Sequence, residues 1–116
     1  MTIKRIDGGK RMSQAVVHNG TVYLAGQVAL EAPGKSVAEQ TAAILARIDR
    51  YLGEAGTDKT KLLSATIWLV DMSKFAEMND VWDAWVAPGA APARATVESK
   101  LAAPQFEVEI AVIAAV

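Results

Sequence analysis

The chain has 116 residues, 52% of them hydrophobic, a formal net charge of −1 and no cysteine. This length and apolar content suit a single domain over residues 1–116 and leave no room for a second one. The missing basic excess argues against nucleic acid as a partner, and the missing cysteine excludes disulfides, thiolate catalysis and thiolate metal ligands. The sequence has neither a signal-peptide pattern nor an apolar run of about 18 residues, so we expect a cytoplasmic protein without membrane contact.

A β-hairpin followed by a helix is predicted for the first half of the chain. Residues 14–18 and 21–25 flank Asn19-Gly20, a two-residue turn signal because both residues tolerate positive φ. Ser36-Val37-Ala38-Glu39 has the spacing of a capping box, which predicts a helix beginning there. Apolar residues then recur at intervals of three and four, which predicts one packed face, until Gly53 or Gly56 ends the helix.

The second half predicts a strand, a helix and two more strands. Residues 62–70 are rich in β-branched and aromatic residues on both alternating sets, which is typical of a central strand covered on both faces. Asp71 offers a cap for a second helix, whose bulky apolar residues recur at helical spacing until Pro88-Gly89. The last two strands, at about 93–99 and 106–114, are joined by a loop containing Pro104.

The resulting order, β-β-α-β-α-β-β, predicts an α+β fold with one sheet and both helices on one face. In the last strand Glu109, Ala111 and Ile113 point away from Val108, Ile110 and Val112. Both sets are largely apolar, so the face without helices would leave much apolar sheet in water. We therefore expect a homo-oligomer with Glu109 near its interface.

Two opposite charges within apolar strands are the candidates for chemistry. Arg94 lies in Ala93–Val97, and Glu109 lies between Val108 and Ile110. Each is costly to desolvate unless it pairs or meets a ligand. Spacing alone leaves two readings open: a structural ion pair between strands, or a site in which Arg94 holds a carboxylate and Glu109 directs water.

The sequence resembles the RidA/YjgF family of imine and enamine deaminases. Pro92–Glu98 and Val108–Ala111 are similar to its C-terminal signature, and the resemblance extends over nearly the whole chain. Further matches to the family's order and spacing, and to its shorter YoaB-like branch, are Gly26-Gln27, Leu62–Asp71, Phe75–Asn79, Met1–Asp7 and Trp82–Val86.

The resemblance implies a chorismate-mutase-like sheet, a homotrimer with active sites in clefts between subunits, and no metal or organic cofactor. The implied reaction is the hydrolysis of reactive 2-imino or enamino acids, such as 2-aminoacrylate, to 2-oxo acids and ammonia, a form of metabolite damage control. It implies Arg94 and Glu109 as catalytic residues, and Arg94, Thr96, Asn79, Gly26, Ala25 and Met12 as substrate-binding residues. Met12, Ala25 and Thr96 stand where well-studied members have Tyr, Ser and Cys, which leaves the preferred substrate open.

A second function remains open beside the imine hydrolase. A trimer that binds small carboxylates without turnover would also use Arg94, and the less polar Met12 and Ala25 favour it. A ribonuclease or translation inhibitor ranks third, because the chain lacks a basic patch with interleaved aromatic residues and its single histidine, His18, adjoins the predicted hairpin turn.

Overall fold

The computed structural model describes residues 2–116 and has the predicted order of helices and longer strands. Two short strands, the first and fourth in chain order, were not predicted because they span only three and two residues. The elements are β1 Lys4–Ile6, β2 Ala15–His18, β3 Thr21–Leu24, β4 Gln27–Val28, α1 Val37–Glu54, β5 Leu62–Leu69, α2 Phe75–Trp85, β6 Ala93–Glu98 and β7 Val108–Ala115.

The turn and cap signals of the first half are confirmed. Asn19 and Gly20 adopt φ values of 52° and 74°, and β2 pairs antiparallel with β3 across them. The Ser36 hydroxyl accepts a hydrogen bond from the Glu39 amide at 3.1 Å and so begins α1. Of the two glycines expected to end this helix, Gly56 does so at φ 84°, whereas Gly53 stays within α1.

The second helix begins later than the predicted cap. Asp71 accepts a hydrogen bond from the Ser73 amide at 2.9 Å and caps a single 3₁₀ turn, Met72–Lys74, which leads into α2. The buried side chains of α2 are Met78 and Trp82. The aromatic bulk that predicted this helix therefore packs it onto the sheet.

The strands form one mixed sheet in the order β1-β2-β3-β7-β5-β6, and β4 also pairs with β7. The β5–β6 pair is parallel, and every other pair is antiparallel. The predicted central strand, β5, lies between β7 and β6. In the part of the chain that the structure describes, β6 has one neighbour and is therefore an edge strand.

Both helices cover the same face of the sheet, as the sequence predicts. Ile44 and Ile48 of α1, Met78 of α2 and Ile67 and Ile110 of the sheet are buried in one core. On β7, buried residues alternate with the half-buried Glu109, Ala111 and Ile113 of the other face. That face also exposes 49% of Tyr23 and holds a shallow concavity of about 230 Å³, so it stays uncovered within one chain. Neither helix of residues 2–116 combines the length and apolarity needed to cross a membrane.

Candidate active site

Glu109 lies on the uncovered face of the sheet, near the middle of the strand order. Its β7 position pairs with Trp68 of β5 on one side and with Val28 of β4 on the other. The side chain is half-buried, and this burial raises the pKa of the Glu109 carboxyl above its ordinary value. Desolvation disfavours the charged form, so Glu109 holds its proton more tightly than an exposed glutamate does.

Gly26 makes room for the Glu109 carboxylate. The Ala25-Gly26 segment connects β3 to β4, and β4 then pairs with β7 beside Glu109. A Cβ placed on Gly26 would overlap Glu109 Oε2 and lie 2.9 Å from Cδ. The lack of a side chain at Gly26 therefore lets the carboxylate lie against the backbone.

Arg94 lies on the opposite face, under α2. Its β6 position pairs with Ala65, a buried core residue of β5. The guanidinium carbon lies 5.2 Å from the ring centroid of Trp82 and 5.8 Å from that of Phe75, within cation–π range of both rings. Aromatic faces attract the cation without satisfying its N–H donors, which stay available for a carboxylate.

Two more predicted site residues lie on the helix-covered side. Thr96 pairs with Ile67 and shares the strand face of Arg94, while Asn79 belongs to α2. Thr96 Oγ1 and Asn79 Oδ1 are both buried and have no hydrogen-bond partner within residues 2–116. Native proteins pair nearly all buried polar atoms. These two atoms therefore have unused capacity for a ligand or a neighbouring chain.

The two charges do not form an ion pair within one chain. Paired positions share a face, so Arg94 lies with Ala65 on the core side, whereas Glu109 lies with Trp68 on the uncovered side. The ion pairs among the described residues are Arg47–Glu31 and Arg50–Glu54. The structural ion-pair reading is therefore wrong for a single chain, because the sheet separates the two side chains.

The predicted site residues thus fall into two groups and one outlying position. Glu109 and Gly26 belong to the uncovered side, with Ala25 next to Gly26 in the connecting segment, and Arg94, Thr96 and Asn79 belong to the α2 side. Met12 lies in the loop between β1 and β2 with 49% of its surface exposed. No group of three or more His, Asp or Glu side chains within residues 2–116 is arranged to hold a metal ion.

Sequence reasoning missed the side chain that holds the segment next to Glu109. Gln27 is 1% exposed, and its amide nitrogen donates to Ala25 O at 3.0 Å and to Gln14 Oε1 at 2.9 Å. Its amide oxygen accepts from Arg47 Nε at 3.0 Å. A glutamine in a two-residue strand gives no periodic signal, so only the fold shows that it is buried.

Comparison with known proteins matches the whole described chain to one family. The family model described as Endoribonuclease L-PSP matches residues 2–116. A RutC family protein, YoaB of Escherichia coli (strain K12), is 47% identical over 116 residues, and the alignment covers 100% of this chain and 100% of that protein. A crystal structure of a YjgF family member from Neisseria meningitidis has a TM-score of 0.95 at 50% identity, covering 99% of this chain and 95% of that one.

The chain belongs to the RidA/YjgF family, as its sequence signature predicts. A more distant relative is named for an activity: the 2-iminobutanoate/2-iminopropanoate deaminase of Bos taurus. It is 34% identical over 108 residues, which are 88% of this chain and 77% of that protein.

Proposed function

We propose that this protein hydrolyses reactive 2-imino and enamino acids to 2-oxo acids and ammonia, without a metal or organic cofactor. Glu109, a half-buried carboxyl with a raised pKa set against a glycine, is the observation that carries the proposal. The name of the bovine relative supports the same chemistry. The activity removes a damaging metabolite, and we propose the cytoplasm as its compartment.

Arg94 binds the substrate carboxylate in this proposal. A guanidinium can donate two parallel hydrogen bonds to a carboxylate, a geometry that lysine lacks. The rings of Trp82 and Phe75 lie within cation–π range of the guanidinium and limit its freedom before substrate binds, which lowers the entropy lost on binding. Hydrogen bonds to a charged group contribute about 1.5–3 kcal/mol each, enough to orient a small substrate. Thr96 Oγ1 and Asn79 Oδ1 offer further polar contacts.

Glu109 acts as the general base. It takes a proton from water as the oxygen adds to the imine carbon and passes that proton to the nitrogen, which gives a carbinolamine. It then takes the hydroxyl proton of the carbinolamine and passes it to the nitrogen as the C–N bond breaks. The products are a 2-oxo acid and ammonia, so the carboxylate is regenerated. A positioned base of raised pKa typically contributes about 10²–10⁴-fold to such a step.

The site requires two copies of the chain. Arg94 and Glu109 lie on opposite faces of one sheet, so one chain cannot direct both at the same small substrate. We propose a homotrimer in which Arg94 of one subunit and Glu109 of its neighbour share a cleft. The uncovered face, with Tyr23, Ala111 and Ile113, supports burial against another copy.

The reaction is tested with 2-aminoacrylate generated in situ by a dehydratase. Release of pyruvate and ammonia is expected to accelerate with the wild-type protein, and Glu109→Gln is expected to lower this acceleration by about 10²–10⁴-fold. Wild-type protein that binds 2-oxobutyrate but gives no acceleration would overturn the enzymatic proposal.

The shared site is tested by mixing two inactive variants. Arg94→Ala and Glu109→Ala are refolded together, so that random assembly gives about a quarter of the clefts both wild-type residues. About a quarter of the wild-type activity is then expected, while each variant refolded alone stays inactive. Absence of recovery in mixed oligomers would show that the residues do not act across an interface.

Carboxylate binding without turnover is the second candidate. Met12 and Ala25 provide no polar side-chain group, which favours a binding site that holds a 2-oxo acid over one that activates an imine. Binding of 2-oxobutyrate that depends on Arg94 but not on Glu109, without ammonia release, would support it.

Ribonuclease activity, suggested by the description of the family model, is the third candidate. The chain has a net charge of −1 and one histidine, His18, whose ring lies 3.4 Å from Thr2 O near the hairpin turn. Neither feature provides a phosphate-binding surface.

A further inference from the structure

The peptide between Ala25 and Gly26 is held by a buried side chain that the proposed reaction does not use. Gln27 Nε2 donates to Ala25 O at 3.0 Å, so the direction of this carbonyl is fixed. The peptide unit is planar, which fixes the Gly26 N–H and Cα as well. Because the Glu109 carboxylate lies against Gly26, the hydrogen bond from Gln27 to this peptide contributes to the position of the carboxylate.

Arg47 determines which way the Gln27 amide points. In the observed orientation the amide donates to Ala25 O and Gln14 Oε1 and accepts from Arg47 Nε, so all three contacts are satisfied. The reversed amide would turn its oxygen toward two acceptors and its donors toward the guanidinium. Three mismatched buried contacts are costly, so reversal is excluded.

The outer end of this chain of contacts lies at the surface of α1. Arg47 is a helix residue whose side chain is only 10% exposed, and its Nη1 donates to Glu31 Oε2 at 2.7 Å. The helix thereby fixes the guanidinium, the guanidinium fixes Gln27, and Gln27 fixes the Ala25-Gly26 peptide. Ala25 is further held by its amide, which donates to Gln14 O at 2.8 Å.

We propose that Gln27, oriented by Arg47, is the positioning residue that holds the Ala25-Gly26 peptide against Glu109 and so sets the place of the general base. This inference rests on the proposed imine hydrolysis for its kinetic consequence. The structural claim, that Gln27 holds the Ala25-Gly26 peptide beside Glu109, does not depend on any reaction.

Gln27→Met tests the proposal because methionine has similar length and volume but makes none of the three hydrogen bonds. The matched control is Gln40→Met. Gln40 is 0% exposed, donates to Lys35 O and Gln105 O and accepts from the Glu107 amide, and none of these hydrogen bonds involves the Ala25-Gly26 segment. Both substitutions remove three buried hydrogen bonds, so both should lower the melting temperature.

The two variants should differ at Glu109. With Gln27→Met the loosened peptide admits water, so the pKa of Glu109, read by ¹³C carboxyl NMR titration, should fall toward its ordinary value. Its kcat should fall about tenfold or more, since displacements of about 1 Å at a reacting group cost up to ~100-fold. Gln40→Met should keep the wild-type Glu109 titration and a kcat within about twofold of wild type.

Arg47→Met provides a second variant in case Gln27→Met does not fold. It leaves Gln27 in place but unoriented, and it should shift the Glu109 titration in the same direction. An unchanged Glu109 titration in both variants, or equal effects of Gln27→Met and Gln40→Met, would overturn the positioning role. If wild-type protein proves to have no deaminase activity, the NMR comparison still decides this inference, so the two failures are distinguishable.

Discussion

Replacing Gly26 with alanine should impair turnover while the fold is retained. Gly26 does not adopt a positive φ, so alanine fits its backbone without strain. The added methyl carbon would lie 2.9 Å from Glu109 Cδ, whereas ordinary contact begins at 3.4 Å, so the carboxylate must retreat. The added carbon also overlaps Glu109 Oε2, so the carboxylate must move by about 1 Å or more. Since ~1 Å of misplacement at a reacting group can cost ~100-fold, kcat should fall by about 100-fold.

The assay is steady-state release of pyruvate and ammonia from 2-aminoacrylate, combined with thermal unfolding. KM should change less than kcat, because Arg94 is expected to hold the substrate carboxylate independently of Gly26. Gly53→Ala is the matched control: its Cβ would meet nothing within 4 Å, and it lies in the last turn of α1. That control should keep full activity and gain about 0.5–1 kcal/mol of stability. Wild-type kcat in Gly26→Ala would refute the placement of Glu109 as the general base.

Three further outcomes are expected. Arg94→Ala should abolish turnover and also the binding of 2-oxobutyrate, which is measured by calorimetry. Glu109→Gln should reduce kcat by about 10²–10⁴-fold with little effect on binding. Equal losses of binding and turnover in both variants would contradict separate roles for the two residues. Burial raises the pKa of Glu109, so the native state binds the carboxyl proton more tightly than the unfolded chain does. The free energy of unfolding therefore falls as the pH rises from the unfolded pKa of this carboxyl through its native pKa. Glu109→Gln should therefore melt at a higher temperature than wild type near pH 7 but not near pH 4, and a constant difference would refute burial as the cause. Tyr51 donates a hydrogen bond to Asp7 Oδ2 at 2.8 Å, so Tyr51→Phe should lose about 1 kcal/mol in urea unfolding, and no loss would show that this contact is unimportant.

Local signals in the sequence were sufficient for most of the fold. Asn19-Gly20 defines a hairpin because its residues accept positive φ, and Ser36 with Glu39 defines a helix start because the hydroxyl satisfies a free amide. Both features depend on neighbouring residues only. The 3₁₀ turn Met72–Lys74 was missed, because Asp71 caps such a turn with the same chemistry that caps an α-helix.

Alternation along the strands predicted the side of the sheet on which Glu109 lies, but not the side on which Arg94 lies. Alternation places Arg94 and Thr96 on one face of their strand, and it places Glu109 opposite Ile110. It does not say which face of β6 meets α2, because this depends on the parallel register with β5, a pairing between distant segments. Gln27 lay beyond sequence reasoning for a similar reason, since its three partners come from different parts of the chain.

The edge position of β6 links solubility to the proposed chemistry. The outer backbone groups of Ala93–Glu98 have no strand beside them in the described chain, and an exposed edge invites pairing with other chains. The strand that carries Arg94 is thus also one of the two edge strands of the sheet within residues 2–116, and it is longer than the other, β1. In the proposed trimer, dilution that separates the copies would remove the shared site and would also uncover the apolar sheet face with Tyr23, Ala111 and Ile113. Specific activity and resistance to aggregation should then decline over the same concentration range, and selection for either property would preserve the other.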